Sequence, residues 1–169
     1  ESAYAANAEA PGGWRGARWF RLAGKVAESE EIVSLHLEPE DGGALLEFHP
    51  GQYIGLRLLL DGEEERRNYS LSALGNGREY RISVKREAGG KVSNYLHDQL
   101  QVGDRLELFP PAGDFVLRPS SKPLVLISAG VGITPALSML EAARDSGRPI
   151  HFIHCARHAG VHAFRDWVQ

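Results

Sequence analysis

The chain changes texture at Pro119-Ser120-Ser121, and that change limits the folds open to it. Before it, short apolar stretches alternate with turn signals. Candidate strands occupy residues 19–26, 32–37, 52–60, 66–72 and 80–86, with shorter ones at 106–108 and 115–117. Asp61-Gly62 and Asn76-Gly77 are two-residue hairpin signals, because such residues tolerate the positive φ that a tight turn demands. From Tyr80 the pattern alternates strictly. Tyr80, Ile82 and Val84 fall on one face, and Arg81, Ser83 and Lys85 on the other. Six or so antiparallel strands with tight turns argue a small barrel or sandwich. One short helix interrupts them at 93–100, with Ser93 as its N-cap and Gly103 past its end.

After the break, residues 124–127 form a continuous apolar run, the pattern of a strand buried on both faces. Gly130-Val131-Gly132 follows as a tight turn. Thr134 as N-cap and Pro135 at the first helical position then open a helix with Ala136, Leu137, Leu140 and Ala143 as its apolar stripe. A second buried strand at 150–156 and the start of a helix at 164 complete a βαβ unit of a parallel sheet. About 49 residues are few for a dinucleotide domain, which usually needs ~100. The second unit is therefore expected to be cut short, with strand edges and apolar surface exposed at 121–169. The Ala-rich residues 1–10 read as a short helical stretch that Pro11-Gly12-Gly13 breaks.

Composition excludes several function classes. Nineteen Lys and Arg against 22 Asp and Glu leave a net charge of −3, which gives no drive toward nucleic acid or anionic membrane. No apolar run approaches the ~20 residues of a membrane span, and no signal peptide is visible. With Cys155 alone, a disulfide framework is excluded and a reducing, cytoplasmic compartment is expected.

Three motifs could carry chemistry. In Arg67-Asn68-Tyr69-Ser70, a strand places Arg67 and Tyr69 on one face and Ser70 on the other. A guanidinium, an aromatic and a hydroxyl at that spacing suit a planar cofactor carrying phosphate. Alone, the motif fits an amphipathic strand better. Gly89-Gly90-Lys91-Val92-Ser93 sets glycines before a helix whose first amides would point at a phosphate, with Lys91 adding charge. Alone, a flexible turn explains it better. Gly130-Val131-Gly132-Ile133-Thr134-Pro135, between a strand and a helix, has the context of a nucleotide site, although the third glycine of the usual fingerprint is missing. His158 and His162, with His154 nearby, lack the further ligands that a zinc site wants and read as solvated or hydrogen-bonded, so no metal is expected. Cys155 reads as a small buried hydrophobe. Residues 63–66 read as a solvated hairpin tip.

In this order the three motifs are far more specific than any one. Together with Gly51-Gln52-Tyr53, Tyr80-Arg81-Ile82-Ser83-Val84-Lys85-Arg86-Glu87, Val92-Ser93-Asn94-Tyr95-Leu96-His97 and Pro111-Ala112-Gly113-Asp114-Phe115, they resemble the ferredoxin–NADP reductase superfamily. Within it they resemble the reductase module of flavohaemoglobins, the nitric oxide dioxygenases. The resemblance implies a six-stranded antiparallel Greek-key barrel that binds FAD, followed by the first βαβ part of a parallel-sheet domain that binds NADH or NADPH. It implies residual globin-tail helix and linker at 1–14, the FAD-binding barrel at 15–119 and a truncated NAD(P)-binding domain at 120–169.

Position by position, the resemblance implies that Tyr53 and Asn68 contact FAD and that Arg67 meets its pyrophosphate. Tyr69 would pack on the isoalloxazine and Ser70 would hydrogen-bond near its N5, the two positions closest to the chemistry. Val84, Lys85 and Glu87 would line the cofactor. Gly90, Val92 and Ser93 would hold the pyrophosphate. Gly130, Val131, Gly132, Ile133, Thr134 and Pro135 would receive the nicotinamide nucleotide. The family moves electrons from NAD(P)H through FAD to haem in a globin or other acceptor domain, for nitric oxide detoxification. No globin and no haem ligand stand in this sequence. The family's later Cys-Gly-Pro segment and C-terminal aromatic are also missing, and no acidic residue ends the second strand; Arg157 stands there, where some relatives read a 2′-phosphate. A stand-alone flavin or ferredoxin-type reductase subunit with a separate protein acceptor, and a non-enzymatic FAD-binding fragment, are the alternative expectations.

Overall fold

The computed structural model describes residues 8–168. Most of residues 1–10, read as a helical stretch, lie outside the described residues; Ala8 and Glu9 are helical. Six strands form one antiparallel sheet: β1 (Arg18–Ala27), β2 (Ile32–Pro39), β3 (Tyr53–Leu60), β4 (Glu63–Ser70), β5 (Tyr80–Lys85) and β6 (Arg105–Leu108). Their order is β4-β3-β6-β1-β2-β5. The sheet curls until its two edge strands approach each other, but they join only at an isolated bridge between Leu71 and Ile82. Beyond it β4 and β5 stay apart, so the barrel keeps an open seam. No strand forms at 115–117, where Phe115 is 69% exposed. The Leu117 amide donates to the Pro50 carbonyl at 3.0 Å, and no ladder forms beside it.

Phe20, Leu22, Leu35, Leu37, Ile54, Leu56, Ile82 and Leu106 fill the barrel interior. These are the alternate positions of each strand, as a pleated sheet with one buried face requires. The few polar atoms that enter the core are satisfied. The Trp14 indole N–H donates to the Leu108 carbonyl at 3.0 Å. The Tyr80 hydroxyl donates to the Leu46 carbonyl at 2.6 Å, beneath a cluster of rings from Trp14, Phe20 and Phe48.

Helix α1 (Lys91–Asp98) closes one end of the barrel through Val92 and Leu96. It starts two residues earlier than the sequence suggests. Gly90 is the N-cap, and Ser93 is the third helical residue. The Ser93 hydroxyl accepts from the Glu87 amide at 3.1 Å and donates to the Gly90 carbonyl at 3.3 Å, so it braces the preceding loop and does not cap the helix. At the other end of α1, His97 Nε2–H donates to the Val84 carbonyl at 2.8 Å.

The second sheet pairs β7 (Leu124–Ala129) and β8 (Ile150–Cys155) in parallel. A 3₁₀ turn (Gly130–Gly132) leads into α2 (Ile133–Ala143), and a short α3 (Arg165–Val168) ends the described chain. Thr134 is the second residue of α2 and donates its hydroxyl to the Val131 carbonyl at 3.0 Å, so it is not the N-cap. Burial of the two strands also departs from expectation. Leu126 and Ser128 are covered, whereas Val125, Ile127 and Ile153 are 53%, 72% and 50% exposed. One face of this two-stranded sheet packs on α2, and the other is apolar and open among the described residues. Cys155 lies exposed for the same reason and is not a buried hydrophobe.

The β1–β2 hairpin ties the second unit to the barrel. Ile32 is buried with Ile133, Leu137, Ala163 and Phe164. The Glu30 amide donates to the Gly160 carbonyl at 3.0 Å, and Arg157 pairs with Glu31. On the opposite side the Gly51 amide donates to Ser138 Oγ at 3.1 Å, and the Leu74 amide to Glu141 Oε2 at 2.8 Å.

Replacing Tyr80 by Phe leaves the Leu46 carbonyl unpaired in the core. It is expected to cost about 1–2 kcal/mol, read as a lower urea midpoint at unchanged m-value. Burial, above all, holds the His97 imidazole below the usual histidine range. The unfolded chain takes up this proton first, so stability is full above pH ~6.5 and declines as pH falls toward the folded value. His97→Gln is expected to flatten that decline in a series of urea melts from pH 7.5 to 5.

Candidate functional site

The seam between β4 and β5 opens into a cleft of about 360 Å³. Asn68, Tyr69 and Ser70 line it from β4. Ser83, Lys85 and Glu87 line it from β5 and the loop beyond, and Val131, Gly132, Thr134 and Pro135 from the start of α2. Three segments far apart in sequence therefore meet at one concavity.

Strand register explains which side chains arrive. Ile54 pairs with Tyr69 and Leu56 with Arg67, whereas Tyr53 pairs with Ser70. Directly opposed residues share a face, so Tyr69 and Arg67 follow the interior row and Ser70 follows Tyr53 on the outer row. Tyr69 packs against the barrel core. Burial pushes its phenol up to about 12, against the pull of the Arg67 charge, so the ring carries a neutral hydroxyl at ordinary pH. Ser83 is held by a chain of hydroxyls, 2.8 Å from Ser34 Oγ and 2.8 Å from Ser72 Oγ. Arg81 Nε donates to Ser72 Oγ at 3.1 Å and also reaches the Ser72 carbonyl. This network pins the closed end of the seam, so the open end has a fixed width.

Residues at the rim complete the surroundings. The Tyr53 ring is 37% exposed and lies against Gly113, where an added Cβ would stand 2.9 Å from it. Gly113 also has φ +111°, so only glycine suits both the backbone and the ring. An added Cβ at Gly90 would stand 2.5 Å from Ser93 Oγ, which keeps the loop tight against the helix start. No side chain caps α1, so its first amides are left to a ligand or to solvent. Arg67 turns away from the cleft, and its guanidinium donates to the Arg66 carbonyl at 2.7 Å and pairs with Glu65 at 3.1 Å. Val84, Val92 and Ile133 are buried in the packing and can offer only backbone atoms.

A second cleft of about 500 Å³ adjoins the first through Lys85 and Val131. Gly130, Cys155, Ala156 and Arg157 line it from the carboxyl ends of β7 and β8, and Glu31 and Ile32 from the barrel. Open parallel sheets receive ligands at this edge. Glu31, Ile32, Cys155 and Ala156 carry no motif, and only the docking of the β1–β2 hairpin brings them here. Ser83 was legible from the alternation of β5, which sets it beside Lys85. The His154 and His162 rings lie 4.9 Å apart, tilted by 32°, and His154 Nδ1 lies 2.8 Å from Ser128 Oγ. No group of three metal-ligating side chains occurs among the described residues.

Comparison with known proteins agrees with this fold. The family described as oxidoreductase FAD-binding domain matches residues 20–117. A flavohemoprotein of Pseudomonas aeruginosa is 75% identical over 169 residues, spanning all of this chain and 43% of its own length. A flavohemoprotein of Deinococcus radiodurans is 55% identical, and the match covers 98% of this chain and 42% of that protein. The chain thus spans less than half the length of the curated relatives it matches. Among solved structures, the flavohem-like FAD/NAD binding domain of nitric oxide dioxygenase from Vibrio cholerae superposes with a TM-score of 0.87 at 42% identity, over 91% of this chain and 68% of that one. Phthalate dioxygenase reductase superposes with a TM-score of 0.81 at 29% identity, over 94% and 50%. The chain belongs to the oxidoreductase FAD-binding domain family and is similar throughout to the flavin region of flavohemoproteins.

Proposed function

We propose that this chain is the electron-transfer module of a flavohemoprotein-like oxidoreductase, in which 15–119 hold FAD and 120–169 begin the NAD(P)H-binding domain. The observation that carries the reading is the convergence of Tyr69, Ser70, Lys85, Glu87 and Gly132 on one cleft at the barrel seam. Bound there, FAD would supply the acceptance of a hydride and its release as single electrons, chemistry that no protein side chain provides. The protein's part is to bind, orient and exclude water.

In this reading Tyr69 offers a ring held by the core, and its neutral hydroxyl adds no charge beside a flavin. Ser70 supplies a hydroxyl for a ring nitrogen. Arg67 and the free amides at residues 91–93 receive the diphosphate, the guanidinium by forked hydrogen bonds and the amides by their shared dipole. Tyr53, Asn68 and the backbone of 84–87 complete the lining. The second cleft receives the nicotinamide nucleotide along 130–135, and Lys85 and Val131, common to both clefts, mark where the two ligands would meet. Adjoining clefts on rigid elements set two rings in contact without a search, which is the largest contribution positioning can make. NADH and NADPH both fit this description. The acceptor in this reading is haem, as the relatives' name implies, carried on a globin region, and the whole-protein role is nitric oxide dioxygenation in the cytoplasm.

The chain mixed with FAD and freed of excess is expected to retain a flavin absorbance spectrum. A colourless chain would contradict the reading. Arg67→Ala removes charge-assisted hydrogen bonds worth about 1.5–3 kcal/mol and is expected to weaken FAD binding by roughly 10-fold to 150-fold. Tyr69→Ala should weaken FAD and riboflavin alike, since it removes the ring and not the phosphate contact.

A further inference from the structure

Arg67 and Lys91, the first residue of α1, are already occupied by the protein's own carboxylates. Arg67 Nη2 lies 3.1 Å from Glu65 Oε2. Lys91 Nζ lies 3.2 Å from Glu63, 3.6 Å from Asp61 and 3.6 Å from Glu65 Oε1, and it also donates to the Leu60 carbonyl at 3.2 Å. Two cations therefore face three carboxylates. A diphosphate brought to this cluster meets no net positive charge unless two of the carboxylates withdraw.

The three acids differ in their freedom to do so. The Asp61 and Glu63 side chains are 89% and 75% exposed at the hairpin tip and can swing into water at little cost. The Glu65 side chain is only 19% exposed. It pairs across the ladder with the buried Leu58 and lies on the same row as Arg67 and Tyr69. It alone touches both cations, one oxygen to each. Residues 63–66 are thus not merely a solvated tip.

We propose that Glu65 is the internal counter-anion of the diphosphate site and a specificity-determining residue. It stays paired to both Arg67 and Lys91 when Asp61 and Glu63 swing away, so that a polyanion gains the full charge of the two cations only when other contacts help it to displace the carboxylate. A dinucleotide has such contacts in its rings; bare pyrophosphate has none. The inference rests on the FAD reading above and adds to it a residue that opposes binding.

The test is a titration of the wild-type chain, Glu65→Gln and Glu64→Gln with FAD, riboflavin and inorganic pyrophosphate. Glutamine keeps the size and a hydrogen-bond acceptor but removes the charge. Glu64 lies one residue away on the opposite face, paired with Arg66 at 2.6 Å, and controls for net charge. Glu65→Gln is expected to bind FAD several-fold more tightly, with a steeper salt dependence because more phosphate contacts are uncompensated, and to bind pyrophosphate as a competitor of FAD. Riboflavin affinity, which also reports that the variant folds, should not change, and Glu64→Gln should match wild type. FAD affinity that is unchanged or weaker in Glu65→Gln, with riboflavin binding intact, overturns the proposal. So does an equal gain in Glu64→Gln, and so does a loss of riboflavin binding, which would make Glu65 a structural residue. A wild-type chain that binds neither FAD nor riboflavin would overturn the FAD reading itself.

Discussion

Incomplete pairing between β4 and β5 is the constraint from which the rest of the structure follows. Six strands are enough to curl a sheet around one layer of Phe, Leu and Ile, yet the two edges meet only at Leu71 and Ile82. The hydroxyl chain from Ser34 through Ser83 to Ser72, braced by Arg81, fixes that meeting point. Past it the strands diverge with their backbone groups and side chains available. An open edge ordinarily invites aggregation. Here the helix start of α2 and the loop after β5 flank it, and the gap becomes a cleft with polar atoms on three sides.

Width and depth of the cleft depend on how the second unit is fastened. The β1–β2 hairpin reaches across to Gly160 and Arg157, and Ile32 is buried in the small core of the other unit. Gly51 and Leu74 bond to α2 from the opposite side. Fastened on both sides, α2 presents Gly132, Thr134 and Pro135 to the seam. The same fastening builds the adjoining cleft, whose walls are Glu31 and Ile32 on one side and Cys155 to Arg157 on the other. A strand hairpin with no motif thus does as much for the site as the glycine turn does.

Much of this was legible in the sequence. Strict alternation at Tyr80 to Lys85 and the Asp-Gly turn placed β3, β4 and β5, and Arg67, Tyr69 and Ser70 fall on the faces that a period of two assigns. Local signals failed where tertiary packing decides. Ser93 and Thr134 are good caps by type, yet each lies within its helix and donates back to a carbonyl that precedes it, because Gly90 and Gly132 stand at the N-cap positions. The apolar run at Leu124 suggested two covered faces, but one face of a two-stranded sheet stays open among the described residues. That Arg67 is turned toward Glu65, away from the cleft, could not be read from spacing, since it depends on which carboxylates the hairpin brings near α1.

The central claim is that the seam holds the flavin ring. Amide chemical shifts of the ¹⁵N-labelled chain titrated with riboflavin test it most directly, because riboflavin lacks the diphosphate and reports the ring site alone. The account predicts that perturbed amides cluster at 68–70, 83–87 and 131–135. Perturbation centred instead on the broader concavity of about 660 Å³ beside Trp14, Trp19 and Asp41, with the seam unchanged, would contradict it.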